Sequence, residues 1–116
     1  TIQAAILLEK LAEFPFELES RNCAADHYNA IYSKTFKTPK LPDGYTSSWA
    51  QYTLVSVDRA AAMDEFKSHG IPTMVYYRTC MHQQSAFKHL SYADEELPVA
   101  SRLARQVFSL PMHPYL

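Results

Sequence analysis

The chain has 116 residues, of which 47% are hydrophobic and 20% charged, and its formal net charge is −1. These values are typical of one soluble globular domain with a real core, and the small charge argues against nucleic acid or an anionic membrane as partner. The apolar stretch from Ala4 to Leu8 is too short to span a bilayer and lacks the flanks of a signal peptide. Gly44 and Gly70 are the only glycines, which excludes a glycine-rich phosphate loop.

A first helix is predicted over residues 2–14, with a broad apolar stripe made of Ile2, Ala5, Ile6, Leu8 and Leu11. A helix that is apolar around most of its circumference normally lies inside a larger body. The chain begins inside this pattern with Thr1 rather than with Met, so we expect a start made by cutting or processing. Pro15 is expected to interrupt the helix and to begin a second one, which runs to Ile31 or Tyr32.

The middle of the chain alternates turn, strand and helix signals. Residues 34–47 contain several turn-favouring pairs and are predicted to be a connector. The stretch from Trp49 to Val57 is rich in aromatic and β-branched residues, which predicts a strand. Asp58 is a suitable N-cap for a helix that ends near His69. Gly70 follows where a left-handed residue would close that helix.

The last third predicts a second strand, two helices and an extended tail. Thr73 to Tyr77 is the strand, Gln83 to His89 a short helix, and residues 109–116 the tail. Pro98 begins an amphipathic helix whose apolar face carries Val99, Leu103 and Val107. The order of elements predicts an α/β fold with long N-terminal helices and a short β-sheet flanked by helices, its strands either parallel or antiparallel.

Histidines and cysteines are the first candidates for metal or nucleophile chemistry. Cys23 and His27 are four residues apart on one helix face, whereas Cys80 and His82 are too close for a helical pair. Neither HExxH nor CxxC occurs, so we expect no metal site. No local signature supports a Cys–His nucleophile. Two thiols without a signal peptide are typical of reduced structural cysteines, which favours the cytoplasm.

Two other segments carry candidate binding chemistry. Tyr76, Tyr77 and Arg78 end the second predicted strand, where two hydroxyls and a guanidinium suit a phosphate or carboxylate. The alternative is a strand end with one buried tyrosine and a solvated Arg78. The tail has the Pro-x-x-Pro spacing of a ligand for an interaction domain. We favour a tail that packs back on the core through Leu110, Met112 and Leu116.

Four segments are distinctive when taken together: Ile2-Gln3-Ala4-Ala5-Ile6-Leu7, Ser48-Trp49-Ala50-Gln51-Tyr52-Thr53, Gly70-Ile71-Pro72-Thr73 with Tyr76-Tyr77, and Ser109-Leu110-Pro111-Met112-His113-Pro114-Tyr115-Leu116. In this order and spacing they resemble the C-terminal region of the DegT/DnrJ/StrS sugar aminotransferase family. Each segment alone is a weak signal, but the combination is specific and extends over essentially the whole chain.

The resemblance implies the small domain of a fold type I pyridoxal-phosphate enzyme, with linking helices in residues 1–33 and an α/β sheet region in residues 34–116. Such enzymes are homodimers that move an amino group, usually from glutamate, to a keto group of a nucleotide sugar. The resemblance is closest to members that aminate a UDP-linked N-acetyl-hexose or hexuronate for surface polysaccharide. The cofactor lysine belongs to the large domain, upstream of the matched region. We therefore predict no catalytic residue here and no activity for this chain alone.

The resemblance also implies a substrate-binding set at the second strand's end. The family's pair there is commonly His-Tyr and faces the sugar nucleotide; Tyr77 matches it, while Tyr76 replaces the histidine and keeps only hydrogen bonding. Arg78 and Cys80 stand where the family often has proline, and Arg78 adds positive charge near a diphosphate or uronate. His82 matches a recurrent loop histidine. A non-catalytic binding or regulatory module on the same scaffold is the alternative.

Overall fold

A computed structural model describes residues 1–93 and 96–116 and divides into two compact units. Unit 1 contains residues 1–52 and 111–116, and unit 2 contains residues 53–110. The helices are α1 (Ile2–Tyr32), α2 (Arg59–Ser68) and α3 (Pro98–Gln106), and the strands are β1 (Tyr52–Val55) and β2 (Val107–Leu110). The predicted mixture of helices with a short sheet is confirmed. The division at residue 33 stays a prediction.

Helix α1 is continuous through Pro15, so the expected break between two helices is wrong. Proline removes one backbone hydrogen bond and crowds the preceding turn, but its fixed φ is itself helical. The alanine, leucine and glutamate residues on both sides favour a helix and carry it past this one defect. At the start, the Ala4 N–H donates to Thr1 Oγ1 at 3.3 Å, which caps the helix.

Unit 1 is held together by aromatic residues against the second half of α1. Trp49 is 7% exposed, and its indole N–H donates to Asn22 Oδ1 at 2.8 Å. The fully buried Tyr52 lies with its ring centroid 5.0 Å from that of Tyr28, and its hydroxyl donates to Asn29 Oδ1 at 2.7 Å. These two polar anchors from one helix fix both aromatic side chains, because a buried donor without an acceptor would be costly.

The strand expected from Trp49 to Val57 is shorter, because Trp49 has a φ of 47°. A left-handed backbone is uncommon for a bulky residue and is incompatible with a strand. The Trp49 backbone N–H donates to Ser47 Oγ at 3.1 Å, and β1 begins only at Tyr52.

The sheet of unit 2 is built around β2 rather than around the predicted second strand. The Ser56 N–H donates to the Gln106 carbonyl at 3.0 Å and the hydroxyls of Thr53 and Ser109 lie 2.9 Å apart, so β1 and β2 are antiparallel. On the other side, Met74 and Ser109 form a single antiparallel bridge. The strand expected at 73–77 is therefore reduced to one bridging residue, and the strand at Val107–Leu110 was missed.

Helix α2 follows its sequence signals closely. The Ala61 N–H donates to Asp58 Oδ1 at 3.0 Å, which confirms the N-cap. Gly70 has a φ of 75°, and the Ile71 N–H donates to the Phe66 carbonyl at 2.9 Å, which closes the helix as expected. The Phe66 ring lies 5.7 Å from that of the fully buried Phe108, and this contact is central to the core of unit 2.

The structure differs from the predicted elements at two points between residues 81 and 107. The helix expected at 83–89 is instead a pair of 3-10 helices, Met81–Gln83 and Ser85–Leu90. The amphipathic helix expected after Pro98 is confirmed as α3, although it ends at Gln106 and Val107 already belongs to β2. Arg59 of α2 donates from Nη1 to the Ala104 carbonyl at 2.6 Å, which satisfies an acceptor in the last turn of α3.

Only the first residues of the extended tail bury their apolar side chains, as predicted for the whole tail. Leu110 is 4% exposed and Met112 is half-buried, but Leu116 is 60% exposed. Within unit 1, Tyr28 donates to the Pro111 carbonyl at 2.9 Å and Tyr115 donates to Glu17 Oε1 at 2.8 Å. No helix within residues 1–93 and 96–116 combines the length and apolarity that crossing a membrane requires.

The buried hydroxyl of Tyr52 should make the free energy of unfolding fall at alkaline pH. Burial raises its pKa above the ordinary value of 10.0, the nearby Tyr28 raises it further, and a hydrogen bond from Thr38 lowers it. The unfolded chain therefore loses its tyrosine proton first, so this contribution is complete below pH 10 and is lost as the pH rises through the folded pKa. We expect Tyr52→Phe to lower the free energy of unfolding by about 1–3 kcal/mol near neutral pH and to flatten its decline above pH 10.

Denaturant unfolding monitored at several pH values measures both effects. Tyr45→Phe is the matched control, because Tyr45 is 71% exposed and should change neither quantity. Equal unfolding curves for Tyr52→Phe and the control would contradict the assignment of the Asn29 hydrogen bond.

Candidate functional site

Unit 2 contains an open cavity of about 810 Å³. Its walls come from the segment that follows Met74 and from α3. The side chains around it are mostly aromatic or aliphatic, and they are Tyr76, Tyr77, Thr79, Cys80, Met81, His82, Gln84, Phe87, Leu90, Tyr92, Leu97, Ala100, Leu103, Ala104 and Val107. A cavity of this size and character is typical of small-molecule binding sites.

One wall is the apolar side of α3. Ala100, Leu103 and Ala104 lie three to four residues apart and therefore share a helix face. Of the face predicted from sequence, Leu103 and Val107 border the cavity, whereas Val99 is 58% exposed and does not. The amphipathic pattern thus marked a cavity wall rather than a filled core.

The opposite wall is the loop that carries the two 3-10 helices. Its first turn is closed on itself, because the Cys80 N–H donates to Gln83 Oε1 at 3.0 Å and the Gln83 N–H donates to the Cys80 carbonyl at 3.0 Å. The loop also reaches α3: His82 Nε2 lies 3.4 Å from Ser101 Oγ, whose residue is only 2% exposed. This contact joins the two walls of the cavity.

Tyr76 and Tyr77 also line the cavity. Their ring centroids are 6.3 Å apart at an interplanar angle of 74°, an edge-to-face arrangement. Tyr76 is 43% exposed and Tyr77 is 77% exposed, and the peptide bond between them is cis. Both rings are therefore accessible to a ligand.

The structure brings together three of the four residues predicted to bind substrate. Tyr76, Tyr77 and His82 border one cavity, while Arg78 is exposed and lies outside its lining. Three further polar side chains that were not predicted also line the cavity, Thr79, Gln84 and Tyr92. No local pattern marks them, since their position depends on how the loop folds against α3. The binding role of all these residues stays a prediction.

The histidines and cysteines do not assemble into a metal site. Among residues 1–93 and 96–116, no group of three or more His, Cys, Asp or Glu side chains could hold a metal ion. Cys23 and Cys80 are both unpaired thiols. Cys23, His27 and Glu19 border a separate cavity of about 690 Å³ in unit 1, but they do not form a group that could hold a metal ion.

The sequence model of the DegT/DnrJ/EryC1/StrS aminotransferase family matches residues 1–116. The chain belongs to this family. A relative from Pseudomonas aeruginosa, named UDP-2-acetamido-2-deoxy-3-oxo-D-glucuronate aminotransferase, is 40% identical over 119 residues, covering 100% of this chain and 32% of the relative. A relative from Geobacillus stearothermophilus, named pleiotropic regulatory protein, is 35% identical over 119 residues, covering 99% of this chain and 32% of the relative.

The fold agrees with solved members of the same aminotransferase family. The crystal structure of a DegT DnrJ EryC1 StrS aminotransferase from Brucella abortus superposes with a TM-score of 0.91 at 45% identity, covering 99% of this chain and 31% of that protein. The resemblance found in the sequence is therefore confirmed. This chain spans about a third of the length of the relatives that it matches.

The aminotransferase cofactor implied by the family, pyridoxal phosphate, does not fit the cavity of unit 2. Holding it requires a lysine amine for the Schiff base and donors for its phosphate. No lysine, arginine, aspartate or glutamate occurs among the lining residues that the structure describes. Its polar groups are hydroxyls, an amide, a thiol and an imidazole, which suit hydrogen bonding to an uncharged group. The residues that hold the cofactor must be sought outside this cavity.

The contact between His82 and Ser101 should hold the loop against α3. We expect Ser101→Ala to increase amide hydrogen exchange of Met81–Gln83 roughly 2- to 10-fold, because a typical net hydrogen bond is lost. Exchange in α2 should stay unchanged. Ser85→Ala, an exposed change in the same loop, is the control. Unchanged exchange in Ser101→Ala would show that other contacts of His82 suffice to hold the loop.

Proposed function

We propose that this chain is the C-terminal portion of a pyridoxal-phosphate-dependent aminotransferase that moves an amino group from glutamate to a keto sugar nucleotide. The substrate class is a UDP-linked N-acetyl-hexose or hexuronate, made for surface polysaccharide. The observation that carries this proposal is the 40% identity, along the whole chain, to the Pseudomonas aeruginosa enzyme whose name specifies such a 3-oxo hexuronate.

The cavity of unit 2 supports a role in substrate binding. Tyr76 and Tyr77 offer hydroxyl groups and exposed rings, and His82 offers an imidazole from the loop that follows them. These hydrogen-bonding groups are suited to the hydroxyl-bearing, uncharged part of a sugar nucleotide. Arg78 is exposed next to Tyr77, and its guanidinium supplies the positive charge that a diphosphate or uronate requires.

The cofactor supplies the amino-group chemistry when it is bound, and its lysine belongs to the part of the parent protein beyond this chain. The parent would act as a homodimer, and this chain alone would be inactive. Both cysteines are unpaired, which agrees with the reducing conditions of the cytoplasm, where we place the parent enzyme.

The test uses the intact parent protein, purified with pyridoxal phosphate. We expect a visible absorbance band from the lysine-bound cofactor. Incubation with glutamate and UDP-2-acetamido-2-deoxy-3-oxo-D-glucuronate should yield 2-oxoglutarate and the amino sugar in equal amounts. Omitting the keto sugar nucleotide is the control for uncoupled turnover. A parent protein that holds no lysine-bound cofactor would rule out the proposal.

The alternative is a binding or regulatory module without catalysis. It is favoured by one observation, the 35% identity to the Geobacillus stearothermophilus relative whose name is pleiotropic regulatory protein. Such a parent would lack the cofactor lysine in its upstream sequence and would bind a sugar nucleotide without turnover. The upstream sequence and the same absorbance measurement therefore separate the two functions.

Removal of the Tyr77 hydroxyl tests the substrate-binding role of the cavity. We expect Tyr77→Phe in the intact parent to lower kcat/KM roughly five-fold, because one hydrogen bond to substrate is worth about 1 kcal/mol. Tyr45→Phe makes the same chemical change outside the cavity, on a residue that is 71% exposed, and should leave kcat/KM unchanged. If both variants match the unsubstituted enzyme, Tyr77 has only a packing role.

A further inference from the structure

Helix α3 buries a polar residue where an amphipathic helix normally buries an apolar one. Ser101 is the only buried residue of α3, all of whose residues (98–106) the structure describes, although the helix also carries Val99 and Leu103. Its exposed fraction is 2%, and it is not part of the cavity lining. A buried hydroxyl without a polar contact would cost free energy, so this position requires one.

The hydroxyl of Ser101 meets the imidazole of His82. Ser101 Oγ lies 3.4 Å from His82 Nε2, and either group can be the donor. His82 is half-buried and borders the cavity from the first 3-10 helix of the loop, Met81–Gln83. The contact therefore joins a buried residue outside the lining to a residue of the lining.

The helix is a firmer support than the loop. The Ser101 N–H donates to the Leu97 carbonyl at 3.0 Å, and Arg59 of α2 donates to the Ala104 carbonyl in the last turn of α3. An imidazole, by contrast, can rotate about its side-chain bonds and can carry its proton on either nitrogen. A contact from the helix to Nε2 limits both freedoms, because it holds the ring in one orientation and engages one of the two nitrogens.

We propose that Ser101 is a positioning residue for the nucleotide sugar: its hydroxyl holds the His82 imidazole in the orientation in which that ring meets the substrate. Ser101 does not border the cavity, so its effect passes through His82. The substrate is that of the proposed function, on which this role rests. The competing possibility is that Ser101 only keeps the loop folded against α3.

Steady-state kinetics of the intact parent separate the two roles. We expect Ser101→Ala to raise KM for UDP-2-acetamido-2-deoxy-3-oxo-D-glucuronate roughly two- to five-fold with kcat unchanged, because binding shared by the ground state and the transition state is lost. The effect is modest because 3.4 Å is long for a hydrogen bond. A purely structural role would lower the folded fraction, and hence kcat, but would leave the KM of the folded remainder unchanged.

Two further variants show whether the hydroxyl itself is responsible. Ser101→Thr retains a hydroxyl and should keep KM within about 1.5-fold of the unsubstituted value. Ser85→Ala removes an exposed hydroxyl from the same loop, outside the cavity lining, and is the matched control with unchanged KM. A Ser85→Ala variant with the same rise in KM as Ser101→Ala would overturn the assignment.

A double-mutant cycle with His82→Ala decides whether Ser101 acts through His82, even if Ser101→Thr does not fold. In the His82→Ala background, Ser101→Ala should raise KM by no more than about 1.5-fold, because the interaction is already absent. Equal effects of Ser101→Ala in both backgrounds would contradict the proposal. A fall in kcat with unchanged KM would leave Ser101 with a structural role alone.

Binding of UDP-N-acetylglucosamine, which carries no keto group, keeps this test separate from the proposed activity. Calorimetry on the same variants measures its Kd without turnover. An active parent with equal KM and Kd for Ser101→Ala and the unsubstituted protein would refute the positioning role and retain the function. An inactive parent whose Kd rises in Ser101→Ala would refute the aminotransferase and retain the positioning role. A parent that holds neither a lysine-bound cofactor nor the nucleotide sugar would refute both.

Discussion

The cavity of unit 2 depends on the pairing of one residue, Ser109, with the chain on both sides. Its N–H donates to the Met74 carbonyl at 2.7 Å, and its carbonyl accepts from the Met74 N–H at 3.0 Å. Its hydroxyl lies 2.9 Å from that of Thr53 on the neighbouring strand. Because Met74 leads directly to Tyr76 and α3 leads directly to β2, this strand anchors both walls of the cavity. The burial of Ser109, at 2% exposure, is possible because these groups are satisfied.

No lysine, arginine, aspartate or glutamate occurs among the lining residues of the cavity that the structure describes. Hydroxyl, amide and imidazole groups can orient a ligand by hydrogen bonds, but the lining supplies no lysine amine of the kind that holds pyridoxal phosphate as a Schiff base. Arg78 is exposed and lies outside this lining.

Local sequence signals predicted the features that depend on a few neighbouring residues. The N-cap at Asp58, the left-handed Gly70 and the start of α3 at Pro98 were all predicted, because each uses hydrogen bonds or φ preferences within about one turn. Family membership was also recognisable from four short segments in the right order. The excess apolar character of the first helix was visible in its pattern, since helix periodicity is itself local.

Other features were decided by contacts between residues far apart in the chain. The Trp49 indole N–H donates to Asn22, 27 positions earlier in the chain, and the left-handed backbone at Trp49 was not predicted. The strand predicted at residues 73–77 is only a single bridge, whereas Val107–Leu110 forms a strand that was not predicted. A strand forms only where a partner segment pairs with it. For the candidate site, the sequence supplied Tyr76, Tyr77 and His82, but only the folded loop added Thr79, Gln84 and Tyr92 and left Arg78 outside. Propensity and periodicity act over a few residues, whereas the strand bridge joins Met74 to Ser109 and the contact between the cavity walls joins residues 19 positions apart in the chain.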